Sequence, residues 1–255
     1  MIMPTSTLTP TKRLDDSFES SQFCGNDTLW SALKLDSDSI LLSVRNFDTW
    51  QTVAQTEIAD PFGDSYVKLL SHPDEKCVVV WVAAGQDGQC LFWARRDGAA
   101  IVVHHFSDLE ETTPANLNFR GDQFLVVCGA ELRRYGFPGG SLLGRMQWPW
   151  DAEDNQIGDL VSFVDERRAV LGSNEGRLYL VELEKMVITD EVILQGHEPK
   201  PMPELYPNLG EGRGVCSDLA HFLPLPGGGF LSVHRELSSQ SDEDHDHLLI
   251  WRTPS

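Results

Sequence analysis

A chain of 255 residues with 41% hydrophobic side chains is long enough for one large all-β domain with a sizeable core. Its formal net charge of -19 repels phosphate backbones, and no Lys/Arg cluster offers the counterion release that nucleic-acid binding needs. Direct nucleic-acid recognition is therefore excluded as an expectation, and so is membrane insertion, because no apolar run reaches the ~18–20 residues of a membrane helix.

Residues 1–25 are polar, lack an apolar signal-peptide core and carry Asp15, Asp16 and Glu19 early. They read as a flexible segment in which Ser17 to Cys24 can supply a closing strand, ahead of a folded domain over residues 26–255. Cys24, Cys77, Cys90, Cys128 and Cys216 are odd in number, widely spaced and without a Cys-x-x-Cys pair, so they read as structural thiols. A reducing compartment follows, cytoplasmic with the nucleus also open.

Short apolar runs then recur in order. A first unit extends from Leu29-Trp30 through Ile40–Val44 to Trp50 and Val53. The clearest unit opens with Val67–Leu70, turns at His72–Lys76, and continues as a buried strand, Cys77–Ala83. The turn Gln86-Asp87-Gly88 leads to Cys90–Trp93, and Asp97-Gly98 leads to Ile101–His105. Asp-Gly between apolar runs is a hairpin signal, since Gly tolerates the positive φ of a type I′ turn. The third unit reads Leu117–Phe119, Phe124–Cys128 and Leu132–Tyr135; the fourth reads Leu160–Phe163, Ala169–Leu171 and Leu178–Val181. The last reads Leu219–Phe222, Phe230–Val233 and Leu248–Trp251, the final run being expected to lie buried.

The ends of the third runs set a period. Trp93 to Tyr135 is 42 residues and Tyr135 to Val181 is 46, near the ~40–45 of a four-stranded propeller blade. The step from Val181 to Trp251 is 70, so the last unit carries extra chain. The unit Ser71-His72-Pro73-Asp74 … Asp87-Gly88 … Leu91-Phe92-Trp93 resembles a tryptophan–aspartate (WD) repeat, and Gly196-His197 resembles that family's glycine–histidine dipeptide. The resemblance spans residues 29–253 and implies an all-β, WD-repeat-like β-propeller of about five four-stranded blades. The family's Trp-Asp pair stands here as Trp93-Ala94, Tyr135-Gly136, Val181-Glu182 and Trp251-Arg252. Most blades are thus expected to rely on packing between apolar strands rather than on the family's buried His–Asp network. The alternatives are a β-sandwich, which lacks the longer period, and an incomplete propeller completed by a partner.

Candidate chemistry is sparse. Asp242-Glu243-Asp244-His245-Asp246-His247 holds metal-ligand residue types but no defined coordination spacing, so it reads as a solvated acidic loop. His104-His105 adjoin a strand, one ring on each side of it, with no accompanying nucleophile. The runs Gly227–Gly229 and Gly210–Gly214 lack the Lys-Ser/Thr of a phosphate loop. No cofactor or metal site and no catalytic residue is assigned. Trp148-Pro149-Trp150 differs: Pro149 interrupts a ladder, and either ring can close a blade or anchor a partner.

If each blade runs from inner to outer strand, second-to-third turns and blade linkers open on one face. Phe106–Pro114, Trp148–Gln156, Glu198–Gly214 and Leu237–Asp246 fall there, with thirteen carboxylates against Lys200 and Arg213. The expectation is a non-enzymatic protein–protein interaction scaffold, a monomer or a subunit of a hetero-complex, whose acidic loop face takes a basic protein or peptide segment. The partner-binding candidates are Trp148, Trp150, Asp151, Glu153, Asp154, Asp242, Glu243, Asp244 and Asp246. The reading from another class is a propeller-form hydrolase or metal-binding enzyme using the acidic loop residues. That needs acids converging near the axis rather than spread over loops.

Overall fold

In the computed structural model, the alternation of apolar and polar residues becomes a series of small antiparallel sheets, each meandering in chain order. The structure describes residues 20–23, 28–35, 38–63, 65–74, 76–85, 88–109, 115–118, 120–149, 157–173, 177–201, 215–216, 219–225, 228–236 and 245–252. Blade 1 comprises β1 (Ser20–Phe23), β2 (Thr28–Lys34), β3 (Ser39–Asn46) and β4 (Thr52–Ala59). Blade 2 comprises β5 (Tyr66–Ser71), β6 (Cys77–Ala83), β7 (Gln89–Asp97) and β8 (Ala100–Leu109). Blade 3 holds β9 (Ala115–Leu117), β10 (Gln123–Cys128), β11 (Glu131–Gly136) and β12 (Leu142–Gln147). Blade 4 holds β13 (Ile157–Phe163), β14 (Arg168–Ser173), β15 (Leu178–Glu182) and β16 (Val187–Val192). After a two-strand ribbon, β17 (Lys200–Pro201) with β18 (Val215–Cys216), blade 5 holds β19 (Leu219–Pro224), β20 (Phe230–Glu236) and β21 (His245–Trp251).

Four apolar seams join the blades side by side. Trp30, Ile40 and Leu42 of blade 1 meet Val67, Val78 and Val80 of blade 2. Val79, Trp81 and Leu91 meet Phe124, Val126 and Phe137 of blade 3. Leu125 and Leu132 meet Phe163, Leu171 and Val181 of blade 4, and Val170 and Leu178 meet Phe230 of blade 5. Sheets that pack face against face in an extended succession, each covered by the next, rather than as one facing pair, make a propeller and not a sandwich. Among the described residues no such seam joins blade 5 to blade 1.

The closing-strand expectation is corrected. Ser20–Phe23 pairs antiparallel with β2, from Ser20 opposite Ala32 to Phe23 opposite Leu29, and forms the first strand of blade 1. Blade 5 therefore has three strands among the described residues, and β21 is its edge. Leu248 and Ile250 are 62% and 63% exposed, which also corrects the expectation that the last run is buried. Alternation sends only one face of an edge strand into a core, and here that face is the one carrying Trp251.

A β-bulge recurs between the third and fourth strands of every complete blade, at Val44/Arg45, Leu91/Phe92, Arg134/Tyr135 and Leu180/Val181. The extra residue lies on the fourth strand each time, and in blade 4 it is Thr189, whose hydroxyl donates to the Leu180 carbonyl at 3.3 Å. The bulge corrects the repeat register. Tyr135, Val181 and Trp251 pack back toward the preceding blade, and so does Phe92, the residue aligned with Tyr135 and Val181 by the bulge. Trp93 is one position later, so it packs forward into the blade 2–3 seam, 6.4 Å from Phe137 and stacked on His104 at 5.1 Å. A one-residue slip exchanges the faces of a strand.

Turns between first and second strands are tied from blade to blade. His72 Nε2 lies 3.0 Å from the Gly121 carbonyl, while its Nδ1 accepts the Asp74 N–H at 2.9 Å, which makes Nε2 the donor to Gly121. Asn118 Nδ2 donates to Glu166 Oε2 at 3.0 Å and to Asp122 Oδ1 at 2.7 Å. The Gly229 N–H donates to the Val164 carbonyl at 3.0 Å. One rim of the molecule is thus stitched continuously from blade 2 to blade 5.

Candidate interaction surface

The opposite rim carries the second-to-third turns and the links between blades. Its first link is closely built. Asp60 Oδ1 accepts from the N–H groups of Phe62 and Gly63, and Oδ2 from Ser65 Oγ at 2.6 Å, with Lys34 Nζ at 3.3 Å. Burial alone would raise this carboxyl's pKa. Ser65, the Phe62 N–H and Lys34 outweigh that and hold it below the ordinary carboxylate range. The site is a structural clamp, with its acceptors already occupied.

The candidate residues divide. Trp148 is 5% exposed, lies in the blade 3–4 seam and meets Tyr179 edge-on at 5.2 Å. That corrects its assignment to a partner surface. Its backbone N–H donates to the Ala130 carbonyl at 2.8 Å. Trp150, Asp151, Glu153, Asp154, Asp242, Glu243 and Asp244 lie outside the described residues. Asp246 lies in β21 opposite Arg235, because the strand begins three residues earlier than the apolar run. Asp108 likewise falls in β8, opposite Cys90.

Among the acidic-rim residues with a described side chain, Glu198 is exposed and accepts the Gly196 N–H at 3.0 Å. That bond lowers its pKa and keeps it ionised. Next to it, the His197 ring packs against the buried His234, centroids 4.1 Å apart. Trp251 Nε1 donates to Ser232 Oγ at 2.6 Å, which leaves the hydroxyl proton for His234 Nε2 at 2.7 Å. The Gly196-His197 dipeptide thus adjoins a buried polar network in blade 5. Sequence reading missed Ser232 and His234, whose only sign was a polar residue at every second position of β20, on its Phe230 face.

The cysteines with described side chains form no disulfide: Cys77 and Cys90 are buried and Cys128 is half-buried. Burial, together with the Asp74 carboxylate, pushes the Cys77 thiol up to about 11, which keeps it protonated at neutral pH. His105 Nε2 sits 3.1 Å from Cys90 Sγ. No group of three or more His, Cys, Asp or Glu side chains among the described residues is arranged to hold a metal ion.

Comparison with solved structures places this geometry in a class. The chain superposes on the β-propeller domain of Myceliophteria thermophila Cps50 (Swd1) with a TM-score of 0.54 at 11% identity, covering 89% of this chain and 70% of that one. It superposes on Chaetomium thermophilum Raptor with a TM-score of 0.52 at 8% identity, covering 93% of this chain but 21% of that one, so it spans about a fifth of the Raptor chain. At these identities the likeness concerns fold: the protein is a β-propeller. No protein-family profile matches the chain, and no curated protein does.

Proposed function

We propose that this propeller is a WD-repeat-like, non-enzymatic interaction scaffold whose acidic rim takes a basic segment of a partner protein. The observation that carries the reading is the thirteen carboxylates against two basic residues in the four stretches assigned to one rim. In a meander of this order, connections leaving second and fourth strands emerge on the same side, so those charges sum into one field. A rigid scaffold with long loops on one rim is the usual arrangement for recognition. Charge of one sign speeds encounter with the opposite sign, and salt weakens it. Protein partners follow from the same reading, and the odd, widely spaced cysteines support a reducing cytoplasmic or nuclear setting.

The test is association of the full chain with immobilised Lys/Arg-rich peptides across a salt series. The variant Asp242→Asn, Glu243→Ser, Asp244→Asn, Asp246→Asn is expected to associate more slowly with a flatter salt dependence. Trp150→Ala is expected to speed dissociation, by about 2 kcal/mol if that ring is an anchor. Wild-type rates for the acidic variant at every salt concentration would reduce the rim to a solubilising surface.

A further inference from the structure

Blade 5 is unlike the other four. Each complete blade ends in a fourth strand antiparallel to the third, and these strands send Ala54 and Ile58, Ile101 and Val103, Met146, and Ile188 into the seams. At β21 no strand occupies that place among the described residues. The face of blade 5 turned away from blade 4 carries half-buried and exposed apolar side chains among the described residues. Leu223, Leu231 and Ile250 lie in one cross-strand row and Val233 pairs with Leu248 in the next. Leu223 is 56% exposed, beside the two exposed β21 residues. The corresponding face of blade 4, with Val170 and Leu178, is buried under blade 5.

We infer that β21 accepts a strand from a partner protein, which adds antiparallel to it as the missing fourth strand of blade 5. An apolar edge strand left bare is a template for pairing, and proteins blunt or cover such edges. The occupant's chemistry follows from the edge. Main-chain groups supply the pairing, and alternate apolar side chains lie beside Leu248 and Ile250. A second copy of this chain is disfavoured, since each carries a charge of -19. Polarity follows too: the C-terminal end of an antiparallel strand lies beside the start of β21, which Asp242, Glu243 and Asp244 immediately precede. The strand therefore carries its Lys or Arg residues at its C-terminal end. That last feature rests on the acidic-rim reading; the strand addition does not.

The probe is a short synthetic peptide alternating valine and threonine and ending in lysines, compared with one bearing the lysines at its N-terminal end. Full-length protein is titrated with each, and amide hydrogen exchange is followed across β21. Expected are slowed exchange over Leu248–Trp251, binding of the C-terminally basic peptide about tenfold tighter than its counterpart, and loss of both effects in Leu248→Lys/Ile250→Lys. Both positions are exposed, so that variant keeps the fold. Binding of either polarity equally, sensitive to salt and without protection of β21, overturns the strand addition while the acidic rim stands. Amides of β21 already protected in the free monomer would mean that this chain covers its own edge. Protection that grows with dimer formation, seen by sedimentation, would assign the edge to a second copy. Either result overturns the proposal.

Discussion

Asp60 holds a carboxylate with no solvent exposure in the link between blades 1 and 2, beside a Lys34 that is itself largely buried. Because its pKa in the folded chain lies below its unfolded value, its stabilisation is complete above about pH 4 and is lost as pH falls through the folded pKa. Asp60→Asn removes the carboxylate that faces the Lys34 ammonium, at a cost of about 2–4 kcal/mol at neutral pH. Urea denaturation should show the gap from the parent protein narrowing toward about pH 3. Trp148 makes the opposite point about a conspicuous side chain. Truncating it to Ala should cost about 3–5 kcal/mol of stability through the cavity left in the blade 3–4 seam. Association with basic peptides below the melting temperature should not change, and a binding defect in a stably folded Trp148→Ala protein would return that ring to the partner surface.

Turns and strands cooperate at the scale of the element. The Asn118 side chain is saturated: Oδ1 accepts the N–H groups of Asp122 and Gln123 at 3.0 Å each, and Nδ2 serves Asp122 and Glu166. This closes the blade 3 turn and ties it to blade 4. Asn118→Asp would set a third carboxylate against the other two in a buried position. The expected loss is about 2–4 kcal/mol at pH 7, partly recovered in acid as the carboxylates take up protons. Thermal melts at both pH values decide it. Next to this turn, Gly121 has φ +72 and a Cβ there would strike the His72 ring, so the glycine permits the inter-blade bond as well as the turn. The recurrent bulge is the other element-scale device. By adding one residue to each fourth strand it increases local twist, which helps successive blades fan around an axis.

Across the whole molecule, stability is nearly a sum of blade and seam terms, as in other repeat arrays. Blades 3 and 4 are each packed between two seams, whereas blade 5 has one seam and three strands among the described residues. Native-state hydrogen exchange should therefore give a lower opening free energy for amides of β20 than for those of β10 and β14. Equal values would mean that the ring closes and unfolds as one unit. Among the described residues, blade 5 is also the one sheet with three strands, and β21 is its edge.

Strand positions in this protein were legible in its sequence because alternation and turn residues act locally. Cys77–Ala83 is a strand to the residue, and Trp93, Tyr135, Val181 and Trp251 do fall on third strands. The fourth strands of blades 3 and 4, Leu142–Gln147 and Val187–Val192, were not, since their outward faces are exposed and their apolar signal is weak. What only the tertiary structure decided were properties of pairing. Phe92, not Trp93, matches Tyr135, because the bulge sets which face each residue presents. Ser20–Phe23 joins blade 1, Trp148 turns into a seam, and Leu248 and Ile250 remain uncovered. A strand's neighbour is chosen by long-range contacts, and no local pattern of side chains encodes which sheet, or whose, will complete an edge.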